Sequence, residues 1–488
     1  MRTTFTTSKS APAKVDAVVI PVASAGPVPS GLGYTRDQLS ALGFDGAPSQ
    51  TLALPGSGSA KATVLGGVGD VKELTANGLR NIAASVARAC SRYESISTTL
   101  ASSRRGGTKE SAQVVVEGMA LALHRWVELK NDKGGLPKLT KVTLVAATGT
   151  AEVKAGMEIG IATASAVCMA RDLANTPPSH LTARQLADKA VALAGKSGLK
   201  ATVYNRDQLV AMGCGGLVGV NAGSVEPPRM VKLEYRPAKA SGHVVLVGKG
   251  VMYDSGGISL KPSDASHASM KMDMSGAAAV LATMSSLRAL KVKTAVTAYL
   301  MCTDNLPSGS AMKLGDVLTM RNGKTVEIHN TDAEGRLILA DGLSLGAESN
   351  PDAMLDIATL TGACMGALGK HMAGILGNND GVLAQLKASS GRTDELVWEL
   401  PFHRPYRSLL DSNVADMRNI GGPLAGATTA ALFLGEFVGD TPWAHIDMAG
   451  PMEADGDNGW LNRGATAYGT RLLIDFCANF KKSSTKNK

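Results

Sequence analysis

The sequence predicts an α/β fold in two domains, each a mixed or mostly parallel sheet flanked by helices. Three observations carry this. Short β-branched runs alternate with longer helical runs, the order that builds sheets covered by helices. Hydrophobic residues make up 44% of the chain and aromatics only 4%, so Ala, Gly, Val and Leu fill the interior, as suits helices lying close on sheets. A length of 488 residues sets a prior of about two to three domains.

The elements follow in order. Residues 1–150 form an N-terminal α/β domain, with strand-like runs DAVVIPVA, KATVLGGVG and KVTLVAATG alternating with helical runs NGLRNIAASVARACSRY and SAQVVVEGMALALHRWVELK. Residues 151–175 read as a linker helix, stopped by the two prolines of NTPPSHLT. Residues 176–480 form the second domain. Its strands are GHVVLVGKGVMY, KTAVTAYLMCT, DAMLDIATL and WAHIDMAG, and its helices are SGAAAVLATMSSLRAL and GRLILADGLSLGAES. The tail 481–488, KKSSTKNK, reads as disordered.

Charge and cysteine usage exclude several classes. The formal charge is +8, but residues 1–170 carry 18 basic and 12 acidic side chains against 32 and 30 in the remainder. The basic excess therefore sits in the N-terminal third and the tail, which reads as a solvated surface or as a weak attraction for nucleic acid. Cysteines at 90, 168, 214, 302, 364 and 477 form no CxxC pair and no zinc-finger spacing. They read as reduced, buried thiols of a cytoplasmic protein. The first apolar run is short and β-branched, unlike a signal peptide, and no apolar stretch is expected to reach the roughly 20 residues that span a bilayer.

Chemistry is narrowed by elimination. No GxSxG follows a predicted strand, HExxH is missing, and AGKSG lacks the first glycine of a phosphate-binding loop. Two Gly-rich strand ends remain, the places where α/β sheets hold ligands. One is VGKGVMYDSGGISLKP, with Lys249, Asp254 and Lys261, followed by Asp273 in MKMDMSGAA. The other is NTDAEGR, with Asp332, Glu334 and Arg336. Taken singly, Asp273 and Glu334 are ordinary helix-terminus carboxylates, favoured by about 0.3–1 kcal/mol. Capping does not account for a lysine at the end of an apolar strand, for Asp254 beside two glycines, or for two acids and an arginine within five residues. Four carboxylates brought together repel unless counter-charged, and two divalent cations supply the missing charge. Such a set suits Mn²⁺, Mg²⁺ or Zn²⁺.

In motif order, VGKG…DSGG…K, NTDAEGRL and WAHIDMAG, with NTPPSHLT and DIATLTGA, resemble the leucyl aminopeptidases, the cytosolic two-metal exopeptidases, over roughly residues 170–475. The resemblance implies a C-terminal catalytic domain, a homohexamer and peptide substrates with a free N-terminus. It implies that Lys249, Asp254, Asp273, Asp332 and Glu334 hold two ions, with Asp254 and Glu334 bridging. Lys261 and Arg336 match the catalytic residues that are not ligands. Met270, Asn330, Thr359, Gly362, Ala449 and Met452 match the substrate-binding positions, which imply an apolar pocket for Leu or Met. The segment from Lys261 to Asp273 is one residue longer than the usual family spacing.

The implied chemistry is hydrolysis by a water bridging the ions. Lys249 must be a neutral amine to ligate, a change that costs about 4–5 kcal/mol at pH 7 and needs a neighbouring dication. Lys261 stays charged and serves the oxyanion. Arg336 cannot take a proton, so the resemblance implies a bicarbonate held by its planar fork as general base. A second reading adds a DNA-binding role through the basic N-terminal domain, as in some bacterial relatives of the family.

Overall fold

The computed structural model describes residues 2–482 apart from 57, 59 and 105, so most of the expected tail lies outside the described residues. The chain forms two compact units, one of residues up to 168 together with 454–464, the other of 169–453 with the segment from 465. The division falls inside the helix Thr150–Asn175. Residues 454–464, which lie within the 176–480 stretch in sequence, pack with the N-terminal unit. The reason is electrostatic. Asp457 accepts from Arg88 Nη1 at 2.6 Å and from Arg125 Nη2 at 2.7 Å, two guanidiniums on one carboxylate.

The N-terminal unit holds a six-stranded sheet of β1 (Thr4–Ser8), β2 (Ala17–Ala23), β3 (Thr51–Pro55), β4 (Ala62–Gly69), β5 (Ser95–Thr98) and β6 (Lys141–Val145), in the order β1-β6-β5-β2-β4-β3. All its pairs are parallel except β3 with β4. Helices Ala76–Ala89 and Thr108–Leu123 pack together through a buried Arg80–Glu117 ion pair at 2.9 Å. The second helix stops at His124, short of the sequence expectation, because Arg125 turns back onto the Ala122 and His124 carbonyls.

The helix Thr150–Asn175 corrects one expectation. It is long and apolar enough, by length and composition, to cross a membrane, with an 18-residue window of mean hydropathy 1.3. Burial of 56% of that window within the protein accounts for its apolar residues.

The second unit is built on an eight-stranded sheet. Its strands are β7 (Lys200–Tyr204), β8 (Arg229–Tyr235), β9 (His243–Asp254), β10 (Ala295–Asn305), β13 (Ala353–Ala358), β14 (Ala373–Gly377), β15 (Val397–Glu399) and β17 (Trp443–Asp447), in the order β15-β14-β17-β13-β9-β10-β8-β7. A small sheet of β11 (Val317–Thr319), β12 (Thr325–Glu327) and β16 (Met417–Arg418) stands apart from it. The four central strands β17, β13, β9 and β10 are mutually parallel and almost wholly buried, as their continuous apolar runs require. Their carboxyl ends, Asp447, Ala358, Asp254 and Asn305, therefore emerge along one edge of the sheet, where ligand sites form.

Two helices close on that edge. Glu334–Ala347 is buried from Glu334 to Gly346, and its face toward the sheet is cut back to glycine. A Cβ at Gly342 would lie 2.7 Å from Val247, and one at Gly346 would lie 2.6 Å from Met354. Ser275–Ser286 lies still closer, since a Cβ at Gly276 would come within 2.2 Å of the Ile357 carbonyl oxygen and 2.9 Å of Lys249 N. All six cysteines are free and buried.

Gly276→Ala forces backbone against backbone, so it should destabilise by at least about 2 kcal/mol in urea unfolding. A loss under about 0.5 kcal/mol, the size of an ordinary surface change, would contradict this packing.

Candidate metal centre

Lys249 sits inside β9 and is buried, with Nζ 2.8 Å from Asp273 Oδ2 and 2.8 Å from Glu334 Oε1, and it donates to the Thr359 carbonyl at 2.9 Å. Gly335 makes room for it, since a Cβ there would lie 2.7 Å from Lys249 Cε and 2.8 Å from Nζ. Asp254 ends β9, and its Oδ1 accepts from Gly256 N at 2.9 Å and from Asn305 Nδ2 at 2.8 Å. Gly256 and Gly257 follow with φ of +87° and +65°, a left-handed turn that only glycine enters freely. That turn brings Lys261 back to the site, 2.9 Å from Asp254 Oδ2 and 2.5 Å from Asp332 Oδ1.

The four carboxylates expected from the sequence thus converge. Oxygens of Asp254, Asp332 and Glu334 lie within 4.8 Å of one another, and Lys249 links Asp273 to Glu334. The site has a dry end and a wet end. The side chains of Lys249, Asp273 and Glu334 are at most 4% exposed, whereas that of Lys261 is 18% exposed and that of Asp332 33%.

Electrostatics record the crowding. Burial, reinforced by Asp254, pushes the Glu334 carboxyl up to about 8. Burial pushes Asp273 up to about 6 against the opposing pull of Lys249, and burial with Asp254 raises Asp332. Burial works against the Lys249 ammonium, yet Asp273 and Glu334 outweigh it and raise its pKa. Lys261 is raised likewise by Asp254 and Asp332. Without metal, Lys249 is thus a charged ammonium and not the neutral amine expected for a ligand.

Two lysines do not complete the set. Among the described residues, Asp273 Oδ2, Asp332 Oδ1 and Glu334 Oε1 meet ammoniums only as ion pairs, without a directed hydrogen bond, and Glu334 Oε2 has no hydrogen-bond partner. Four such buried oxygens in one cluster, all hard donors, fit divalent cations. Arg336 lies two residues beyond Glu334 in the first turn of the same helix, is buried, and is lowered by that burial to about 10. Its Nη1 donates to the Asn419 carbonyl at 2.9 Å and its Nε has no hydrogen-bond partner among the described residues. A plain ion pair with Asp341 is ruled out, because Asp341 accepts instead from the Leu217 and Arg321 amides.

Family comparison accords with this arrangement. The model of the cytosol aminopeptidase family, catalytic domain, matches residues 168–474, and that of the family's N-terminal domain matches residues 30–133. The chain belongs to the cytosol aminopeptidase family. It is accordingly an aminopeptidase, a hydrolase of the peptide bond. A probable cytosol aminopeptidase of Alkaliphilus metalliredigens (strain QYMF) is 38% identical over 460 residues, covering 92% of each chain. One of Chloroherpeton thalassium (strain ATCC 35110 / GB-78) is 45% identical over 386 residues, 76% of this chain and 75% of the relative. Among solved structures, the bottromycin maturation enzyme BotP in complex with Mn is 36% identical, with a TM-score of 0.87 over 95% of this chain and 99% of that one.

The six substrate-binding candidates fall in several places. Thr359 adjoins the ligands, its hydroxyl donating to Asp273 Oδ1 at 2.6 Å. Gly362 opens the short helix Gly362–Leu368, and Ala449 N donates to Asp447 Oδ1 at 3.3 Å. Met270 begins the turn Met270–Met272 that leads into Asp273 and is half-buried. Met452 is half-buried and accepts from Thr466 through its carbonyl. Asn330 shapes the loop, its Oδ1 accepting from Asp332 N at 2.8 Å.

Sequence reasoning missed three residues that hold the site. Asn305 bonds both Asp254 and the Thr331 carbonyl. Asn419 accepts from Arg336, and its side chain binds His329 N and the Asn330 carbonyl. Asp447 binds the loop that carries Thr359. The only sequence signal was a polar residue closing an apolar strand, present for Asn305 and Asp447 and weak for Asn419.

Gly335→Ala favours the helix by about 1 kcal/mol of propensity, yet it crowds the Lys249 ammonium. It should cut kcat/KM on Leu-amide at least about tenfold, since misplacing a site group by about 1 Å costs up to about 10²-fold. A variant with parent-like kcat/KM would contradict the packing.

The metal-free protein holds the Glu334 proton more tightly than the unfolded chain does. Stability from this group is therefore fullest below the ordinary glutamate range and falls as pH rises toward 8. Glu334→Gln should raise metal-free stability in chelator at about pH 8 and by much less at about pH 5. An equal gain at both pH values would contradict the burial argument.

Proposed function

We propose that this chain releases N-terminal amino acids, Leu and other apolar residues foremost, from peptides with a free N-terminus, at a dinuclear metal centre. One observation carries the reading: four carboxylates are drawn together at the strand ends with only two ammoniums between them, and four of their buried oxygens lack a directed hydrogen bond. Lys249 and Asp273 would hold one ion, Asp332 the other, and Asp254 and Glu334 would lie between them. Mn²⁺ or Zn²⁺ suits this donor set, with Mg²⁺ a further candidate. When bound, such a pair supplies Lewis acidity toward the scissile carbonyl and an acidified bridging water.

The chain's own residues do the remainder. Lys261, at the wet end, keeps its charge and donates to the carbonyl oxygen as negative charge develops there. Asp273, accepting from Thr359, meets the substrate's free ammonium, so that a blocked amine is refused. Arg336, its Nε unengaged, orients a planar oxyanion, bicarbonate, as the base. Binding metal at the dry end requires Lys249 to release a proton, so metal uptake falls as pH falls. Thr359, Gly362 and Ala449, with Met270 and Met452, form the pocket for the first side chain.

Cytoplasmic location and a homohexamer accompany this reading through the family. An added DNA-binding role has only the basic N-terminal third behind it, and there Arg88 and Arg125 are engaged by Asp457. A mobility-shift assay across a salt series tests that role, because phosphate binding weakens steeply with salt.

Lys261→Ala and Arg336→Ala should keep the fold and the bound metal while losing about 10²-fold or more in kcat on Leu-amide. Leu-amide should be cleaved and N-acetyl-Leu-amide should not, with cleavage lost in chelator and restored by Mn²⁺. Near-parent turnover by both variants, or full turnover after exhaustive chelation, would overturn the reading.

A further inference from the structure

We propose that Asp447 is a positioning residue that couples the first side-chain pocket to the Lys249–Asp273 half of the centre; the inference rests on the metal reading above. Asp447 ends β17, is 1% exposed, and pairs in register with Ala358, the last residue of β13. From there it holds the segment that leaves β13. Its Oδ1 accepts from Leu360 N at 3.1 Å and Thr361 N at 3.3 Å, and its Oδ2 accepts from the Thr361 hydroxyl at 2.6 Å. Its Oδ1 also takes Ala449 N at 3.3 Å.

What hangs from this clamp is the ligand pair. Thr359, next to Leu360, receives Lys249 Nζ on its carbonyl at 2.9 Å and donates its hydroxyl to Asp273 Oδ1 at 2.6 Å. Thr359 thus bonds both Lys249 and Asp273 from outside the carboxylate cluster, and Asp447 holds the two amides that follow it. Thr361 in turn caps the helix Gly362–Leu368 by accepting from Cys364 N at 3.0 Å. The pocket positions Thr359, Gly362 and Ala449 therefore share one anchor. Asp447 is not a spare ligand, because both of its oxygens are already engaged by protein donors, unlike those of Glu334. Asp332, toward the other ion, has its own support in Asn330, and Asp254 between the two is held by Asn305 and the turn at Gly256. Loosening Asp447 must therefore act on one half of the centre.

The test is a Mn²⁺ titration by calorimetry on the metal-free full-length chain, with unfolding temperature measured alongside. The parent should take up two ions. Asp447→Ala should weaken one binding event by about 10–100-fold, the usual cost of losing a group that orients a ligand, and leave the other within about threefold. Asp447→Asn keeps one acceptor oxygen for the three backbone amides and should recover most of the loss. Thr361→Val removes the hydroxyl bond to Asp447 together with the cap on Cys364 N, leaves the backbone amides on Asp447, and should give the same one-sided loss at smaller size, which decides the matter if Asp447→Ala fails to fold. Two unchanged affinities in a folded Asp447→Ala, or equal weakening of both together with a lowered unfolding temperature, would overturn the inference alone. A parent that binds no Mn²⁺ would overturn the metal reading and this inference with it.

Discussion

Like charges held close in a dry place must be compensated, and that constraint organises the catalytic unit. Asp254, Asp273, Asp332 and Glu334 converge where four parallel strands end, and burial denies Asp254, Asp273 and Glu334 the water that would ordinarily screen them. Lys249 and Lys261 compensate half of the charge from opposite sides. The remainder shows in the raised carboxyls of Glu334, Asp273 and Asp332 and in oxygens lacking a directed hydrogen bond. A protein that stores repulsion in this way is poised for cations. The same repulsion lowers its own stability until they arrive, the usual exchange at a functional site.

Geometry turns this repulsion into a shaped site. Parallel pairing sets the strand ends along one edge, and small residues let two helices lie against the sheet at backbone distance. Around the charges runs a layer of neutral and singly charged anchors. Asn305 steadies Asp254, Thr359 steadies Asp273, Asn330 shapes the Asp332 loop, and Asn419 fixes Arg336. The dry end at Lys249 and the wetter end at Lys261 separate two tasks, holding an ion tightly and admitting a substrate.

Much of this was legible in the sequence, and the rest was hidden for physical reasons. The motif residues could be read because no ordinary structural role gathers acids, a lysine and an arginine beside glycines at strand ends. The long central strands were legible because burial on both faces gives continuous apolar runs. Short or edge strands were not. In β14, AGILG, two glycines in five residues read as turn, and β15 is three residues at the sheet margin. The return of 454–464 to the N-terminal unit depends on Arg88 and Arg125 meeting Asp457 more than 330 positions away, which no local pattern encodes. Asn305, Asn419 and Asp447 were missed because a single polar residue ending a strand is common, and only its partners reveal its work. The apolar length of the helix Thr150–Asn175 was underestimated, and 56% of its most apolar window is buried within the protein.

The most direct measurement is anomalous diffraction from crystals of the full chain grown with Mn²⁺. The expected map holds two peaks about 3.5–4 Å apart, bounded by Asp254, Asp273, Asp332 and Glu334, with Lys249 Nζ turned from its carboxylate partners onto one ion. A map with no peak there, or with Lys249 still paired to Asp273 and Glu334 at saturating Mn²⁺, would contradict the view that these carboxylates are assembled to hold a metal pair.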